Sequence, residues 1–357
     1  MKMRYSVAAV ALAIVATSCG SSAKKADTTT TAAGAATTKA ADTATTKAAA
    51  AATTAAAAAT TEAVKATQGK DLTFYMITHG DGGVFWSVVQ KGAEAAGKAM
   101  GVTVKYEGAN NDPQKQAQMI DAAVAAKPAG IAVSLANPDA LKGSIKKAVD
   151  AGIPVYTLNS GVNNYKELGA VTHVGQTETV AGNGAGERFK AAGAKHLLCV
   201  IQEQSNVALE ERCDGATATF GGKVDRLTQT AGDKDQAKST QEITAKLQAD
   251  ATIDAVLAEG PVAGIEAVNA VKTANSKAMI GNFDLSGDII QNIKDGKIAF
   301  AIDQQQYLQG YLPVVLMFLQ ATNANTAGGG LPILTGPGFV TKDNAAQVEA
   351  LAKAGTR

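Results

Sequence analysis

Chemistry needs particular side chains at particular spacings, and the 357 residues of this chain offer few such sets. Its histidines, His79, His173 and His196, form no HExxH pair. A paired-cysteine metal motif and a GxSxG elbow are also missing, so the spacing of neither a metal site nor a catalytic triad is present. The run Gly80-Asp81-Gly82-Gly83 is phosphate-loop-like but lacks a Gly-Lys-Ser/Thr ending, and Phe85 stands where a dinucleotide fingerprint needs its third glycine. Asp81 and Asp284 as a hydrolytic carboxylate pair have no positive support. No catalytic residue, metal or cofactor is expected.

What the chain does offer is a recognition set, delivered just after strand-like runs. His79 to Trp86 is a glycine turn carrying Asp81 and the adjacent aromatics Phe85 and Trp86. Asn159-Ser160-Gly161 follows VYTL, Glu210-Glu211-Arg212 opens a helix, and Asn282-Phe283-Asp284 follows AMIG. Gln304 lies in KIAFAIDQQQYLQGY, Lys297 to Tyr311, where alternating Ile298, Phe300 and Ile302 give way to a polar strand end. An aromatic wall with an acid, a guanidinium and amides suits a polyhydroxylated ligand: its C–H face packs on a ring and its hydroxyls donate to carboxylate and accept from arginine. Structural roles stay open for each residue. Phe85 and Trp86 would equally anchor the first helix, Arg212 would pair on the surface with Glu211 or Asp214, Asp284 would cap a helix opening at Leu285, and Gln304 would sit in a solvated loop.

The elements that must position this set begin at Asp71. From there strand-like and helix-like stretches alternate to the end, which demands mainly parallel sheets flanked by helices, an α/β fold. The βα units are too many for one compact sheet, so two Rossmann-like lobes are expected, with the ligand between them at the carboxyl ends of strands. The chain crosses near Thr172 to Gln176, returns at Asp303 to Gln305, and shares the segment after Ala321 between the lobes. This assigns residues 71–173 and about 305–334 to lobe 1, and 174–304 and about 335–357 to lobe 2.

Before Asp71 nothing has the composition of a core. Residues 1–19 read as an export signal: Lys2 and Arg4, an apolar run from Val7 to Ala16, then Ala16-Thr17-Ser18-Cys19, which resembles the box before a lipidated cysteine, with Ala16 where Leu is more usual. An ordinary cleaved signal is the alternative. Residues 20–70 are almost entirely Ala, Thr, Lys and Asp and cannot bury enough apolar surface to offset chain entropy. They read as a disordered tether, whose roughly 50 residues would reach about 40 Å. The chain has 33 basic and 32 acidic residues. Without Lys2 and Arg4 that becomes 31 against 32, a net charge of −1, which leaves no footprint for nucleic acid.

From about Asp71 onward the chain resembles periplasmic-type sugar-binding proteins of the ribose-binding group, the substrate-binding components of sugar ABC importers. The matching segments are FWSVVQKGAEAA, GIPVYTLNSG, ALEERCDG, NFDLS and AIDQQQYLQGYLPV, in family order and spacing. The resemblance implies two lobes joined by three hinge crossovers that close on ligand. It also implies that Phe85 and Trp86 stack on the sugar, Arg212 and Asp284 hold hydroxyls, and Gln304 binds near the hinge. The sequence departs from ribose binders at Asn159-Ser160, where they have Asp-Arg, at Gly260-Pro261, where they have Asn-Asp, and at Gly82-Gly83-Val84, where they have Asn-Asn-Pro. Another pentose, a hexose, a deoxy sugar or a polyol is therefore open. In an oxidising compartment Cys199 and Cys213 would close a disulfide at the ligand-facing end of lobe 2; two buried thiols are the alternative.

The expectation is a monomeric, lipid-anchored receptor outside the cytoplasm. It would deliver a monosaccharide or polyol to ABC permease subunits, touching the membrane through its anchor alone. A sensor signalling to a chemoreceptor or kinase is the alternative, and a secreted carbohydrate-active enzyme a weaker one. A repressor with the same core fold is excluded, because an export signal and tether stand where its DNA-binding helices would be.

Overall fold

The computed structural model describes residues 71–357. The readings of a signal peptide, of Cys19 and of the tether lie outside the described residues. In chain order the strands are β1 (Thr73–Thr78), β2 (Thr103–Gly108), β3 (Gly130–Ser134), β4 (Val155–Asn159), β5 (His173–Gln176), β6 (His196–Ile201), β7 (Lys223–Thr228), β8 (Ala255–Ala258), β9 (Met279–Phe283), β10 (Phe300–Asp303), β11 (Ile333–Gly336) and β12 (Gly338–Thr341). They form two six-stranded sheets, ordered β11-β5-β4-β3-β1-β2 and β12-β10-β9-β8-β6-β7. Only the β10–β12 pairing is antiparallel. The α/β fold expected from the alternation is thus present. Central strands such as β3 (GIAVS) and β6 (HLLCVI) are buried at every residue, as strands covered on both faces must be. The edge strands β2 and β7 are the ones that alternate toward solvent.

The helices are α1 (Gly83–Met100), α2 (Pro113–Ala125), α3 (Pro138–Asp150), α4 (Glu178–Ala191), α5 (Val207–Phe220), α6 (Gln236–Ala249), α7 (Pro261–Thr273), α8 (Gly287–Lys294), α9 (Gln306–Asn323) and α10 (Ala345–Ala354). Their starts are written locally. Asp112 accepts from the amides of Gln114 and Lys115 ahead of Pro113, and Asn137 accepts from that of Ala140 ahead of Pro138. Helices α4 and α5 meet backbone to backbone: a Cβ on Gly182 would stand 2.1 Å from the Arg212 carbonyl oxygen, and one on Gly215 2.3 Å from that of Thr179. Only glycine permits that approach, and it brings the start of α4 against Arg212. Among the described residues no helix is long and apolar enough to cross a membrane.

The lobe boundaries read from sequence need correction. His173 to Gly175 of β5 pair with β4, and Val174 to Gln176 pair with β11, Gln176 opposite Gly336, so the breaks placed at 173/174 and 334/335 fall inside strands of the first sheet. The chain leaves that sheet after Gln176, returns between Asp303 and Gln306, and leaves again through the cis Gly336–Pro337 bond into β12. Hydrogen-bond pairing, which local hydrophobicity does not encode, fixes where a strand stops belonging to a lobe.

Candidate functional site

The carboxyl ends of strands from both sheets surround a cavity of about 610 Å³. Asp81, Phe85, Trp86, Asn159, Arg212, Asp284 and Gln304 all line it. Its floor is a hydrogen-bonded chain from one sheet to the other. Asn159, at the end of β4, donates through Nδ2 to Oε1 of Gln304 (3.2 Å) and of Gln309 (3.2 Å). Gln304 in turn donates through Nε2 to Oδ1 of Asp284 (2.7 Å), and Gln309 donates to Gln304 Oε1 (2.8 Å). Asn159 and Asp284 both have left-handed backbones, φ 62° and 72°, which turn their side chains out of the strand ends.

Asp284 is 3% exposed, and its pKa is pushed up to about 7 by burial, against the opposing pull of Arg212 and Gln304. It caps no helix; Ser286 Oγ accepts the Ile289 amide at the start of α8 instead (3.1 Å). Nor is Arg212 a surface partner of Asp214, which pairs with Arg226. Arg212 is 3% exposed, donates through Nε to Glu178 Oε2 (2.6 Å) and through Nη1 to the Glu259 carbonyl oxygen (3.2 Å), and lies over the Phe283 ring at 4.3 Å. Burial works against its charge, but Glu178 and Asp284 outweigh it and its pKa is raised. Glu259 stands behind, 3.8 Å from Arg212 Nη1, and burial drives its pKa well above the usual carboxylate range.

The aromatics divide. Phe85 is half-buried and meets Trp86 edge to face at 4.9 Å. Trp86 reaches the cavity but is 7% exposed and packs in the core beside Phe74, Met76 and Val89, with its indole so close over Gly80 that a Cβ there would meet Nε1 at 1.9 Å. Asp81 is exposed at the rim. Cys199 and Cys213 are joined, S–S 1.98 Å, fully buried beside Glu259. The bridge ties β6 to α5 directly below Arg212. His196, Asp225 and Asp250 also cluster, at the far end of β6, where Lys223 Nζ lies 3.1 Å from Asp225 and 3.4 Å from Asp250 and supplies the positive charge itself.

Sequence reasoning missed several residues. Glu178 and Glu259 hold Arg212; Glu259 directly follows β8 and was within reach of the strand-end rule, whereas Glu178 is brought in only by the glycine crossing of α4 and α5. The lobes also touch directly. His79 Nε2 lies 3.3 Å from Glu203, Ser160 Oγ donates to Asn206 Oδ1 (3.2 Å), the Val207 amide donates to the Ala136 carbonyl (3.1 Å), and Asn163 Nδ2 donates to Glu211 (2.9 Å). Burial raises the Glu203 carboxyl, but the His79 imidazole, the Asn206 amide and the Arg212 charge together outweigh that, and the net shift is downward. A cleft that sets amides, carboxyls and one guanidinium beside two aromatics can bind several hydroxyls at once.

Comparison with known proteins agrees with this geometry. Residues 74–325 match the periplasmic binding protein domain, and the chain belongs to that family. The fold is that of the substrate-binding components of sugar ABC importers. One similar solved structure, a carbohydrate transporter from Acidothermus cellulolyticus in complex with myo-inositol, is 44% identical, covers 80% of this chain and 100% of its own, and superposes with a TM-score of 0.78. A xylose/arabinose-binding protein from Sulfolobus acidocaldarius is 26% identical over 75% of this chain and 70% of its own. A ribose import binding protein from Haemophilus influenzae is 28% identical over 65% and 79%. These relatives are binding proteins of transport, not enzymes.

Proposed function

We propose that the chain is a monomeric extracytoplasmic receptor that captures a monosaccharide or cyclic polyol between its lobes and passes it to an ABC importer. The observation that carries this reading is the unbroken Asn159–Gln304–Asp284 hydrogen-bonded floor. A hydroxylated ring laid on it engages groups of both sheets at once, so binding favours the closed pair of lobes. A cyclic polyol is favoured over ribose: the structure at 44% identity holds myo-inositol, and Asn159 and Ser160 replace the acid and base that ribose binders use there. Amides and hydroxyls fit a neutral ring with hydroxyls around its whole edge. Cys19 would carry the lipid, and residues 20–70 would hold the lobes clear of the membrane.

A thermal-shift and calorimetric screen of the full chain against myo-inositol, its stereoisomers, ribose, xylose, arabinose and hexoses tests the ligand. A specific ligand should raise the melting temperature with concentration; no response to any ring would overturn the reading. Cys19→Ser should move the protein from the membrane to the soluble fraction of its host.

A further inference from the structure

The cavity is larger than one ring. A twelve-heavy-atom cyclitol displaces roughly 180 Å³, the volume of about six waters at about 30 Å³ each, whereas the cavity measures about 610 Å³. The part of its lining that the second lobe supplies beyond Arg212 and Glu259, called the arm below, includes Gln202, Gln204, Thr230, Asp233 and Lys234, of which all but Gln202 are exposed. Its walls are held in place. Gln202 Nε2 donates to the Glu259 carbonyl (3.2 Å) and Gln204 Nε2 to that of Gln229 (3.1 Å). Gly232 presses on the Gln202 carbonyl, where a Cβ would stand 2.3 Å away, and its φ of 54° suits glycine alone. Behind this wall Gln229 is 1% exposed and donates inward to Glu266 (2.8 Å), which holds the end of β7 in place. The arm offers amides, a hydroxyl, a carboxylate and an ammonium but no aromatic face, which is the chemistry for hydroxyl groups and not for an apolar substituent.

We propose that the cleft binds a two-ring ligand, a cyclic polyol or sugar ring on the Asn159–Gln304–Asp284 floor joined by a glycosidic bond to a second polyhydroxylated ring in the arm lined by Gln202, Thr230 and Asp233. This rests on the receptor reading above and extends its ligand from one ring to two, the first ring keeping the place given there. Asp233 supplies the acceptor and Lys234 the donor for the outer ring.

The test is calorimetry on the full chain with myo-inositol, α-galactosyl-myo-inositol, ribose, xylose, arabinose, melibiose and sucrose. At least one two-ring ligand should bind tenfold or more tightly than the best single ring. Ala231→Trp, which puts an indole into the arm, should abolish that margin while leaving the single-ring affinity within twofold. Should that variant fail to fold, Asp233→Asn should reduce the margin at least threefold with the same single-ring affinity. A wild-type protein that binds single rings as tightly as every two-ring ligand overturns the proposal, as does a variant that weakens both classes equally. Failure to bind any ring overturns the receptor reading, and the two-ring ligand with it.

Discussion

Replacing Asp284 by asparagine should separate binding from stability. The carboxyl is 3% exposed, and its pKa rises from 3.8 to about 7, chiefly through burial. A carboxyl whose pKa is raised by folding contributes stability at low pH and loses it as pH climbs from about 4 through about 7, because the folded state holds the proton harder. At about 1.4 kcal/mol per pH unit, keeping Asp284 ionised in the folded protein above pH 7 costs on the order of 4 kcal/mol. Ligand hydroxyls that donate to the carboxylate reverse this preference, since they need the ionised form. Wild-type affinity should therefore be about tenfold weaker at pH 6 than at pH 8, as the competent fraction falls. Asp284→Asn should lose about 1.5–3 kcal/mol of binding, roughly tenfold to over a hundredfold, and flatten that pH profile. Its melting temperature without ligand should be equal to or above wild type at pH 8. Calorimetry and melts of both proteins from pH 5.5 to 8.5 give all these quantities. Unchanged affinity, or a variant that keeps the wild-type pH slope, would refute the reasoning.

Other outcomes follow from the same geometry. Arg212→Ala leaves Glu178 buried without its partner and should destabilise by about 3–5 kcal/mol in urea melts, while Arg212→Lys keeps the charge but not the fork and should fall between. Trp86, the only tryptophan, lines the cavity and also fills core, so saturating ligand should alter its emission, Trp86→Ala should cost about 3–5 kcal/mol of stability, and Trp86→Phe should keep most of that; a flat emission trace would remove Trp86 from the ligand's surroundings. The bridge between Cys199 and Cys213, 14 residues apart, should stabilise by about 3 kcal/mol. Melts of wild type and of a Cys199→Ser/Cys213→Ser double variant measure this, and two titratable thiols besides Cys19 in unreduced denatured protein would rule the bridge out.

Much of the fold was legible in the sequence because the signals are local. Apolar runs such as TFYMIT and HLLCVI, capping residues such as Asp112 before Pro113, and polar groups at strand ends fix elements and direction, and in parallel sheets every strand end faces the same side. Hence Asn159, Asp284 and Gln304 could be placed at the cavity wall before any coordinates: each directly follows a strand or closes one. Pairing and crossing decided what remained. Which sheet owns residues 174–176 and 335–336 depends on partners more than a hundred positions apart, and the pairing of Glu178 with Arg212 exists only because glycines let α4 and α5 touch. Whether Arg212 stayed on the surface beside Asp214 or turned inward was equally undetermined by helical spacing, which allows both. The desolvation that moves Asp284 and Glu259 far from their ordinary titration range comes from the packing of distant elements around them, which no stretch of sequence carries alone.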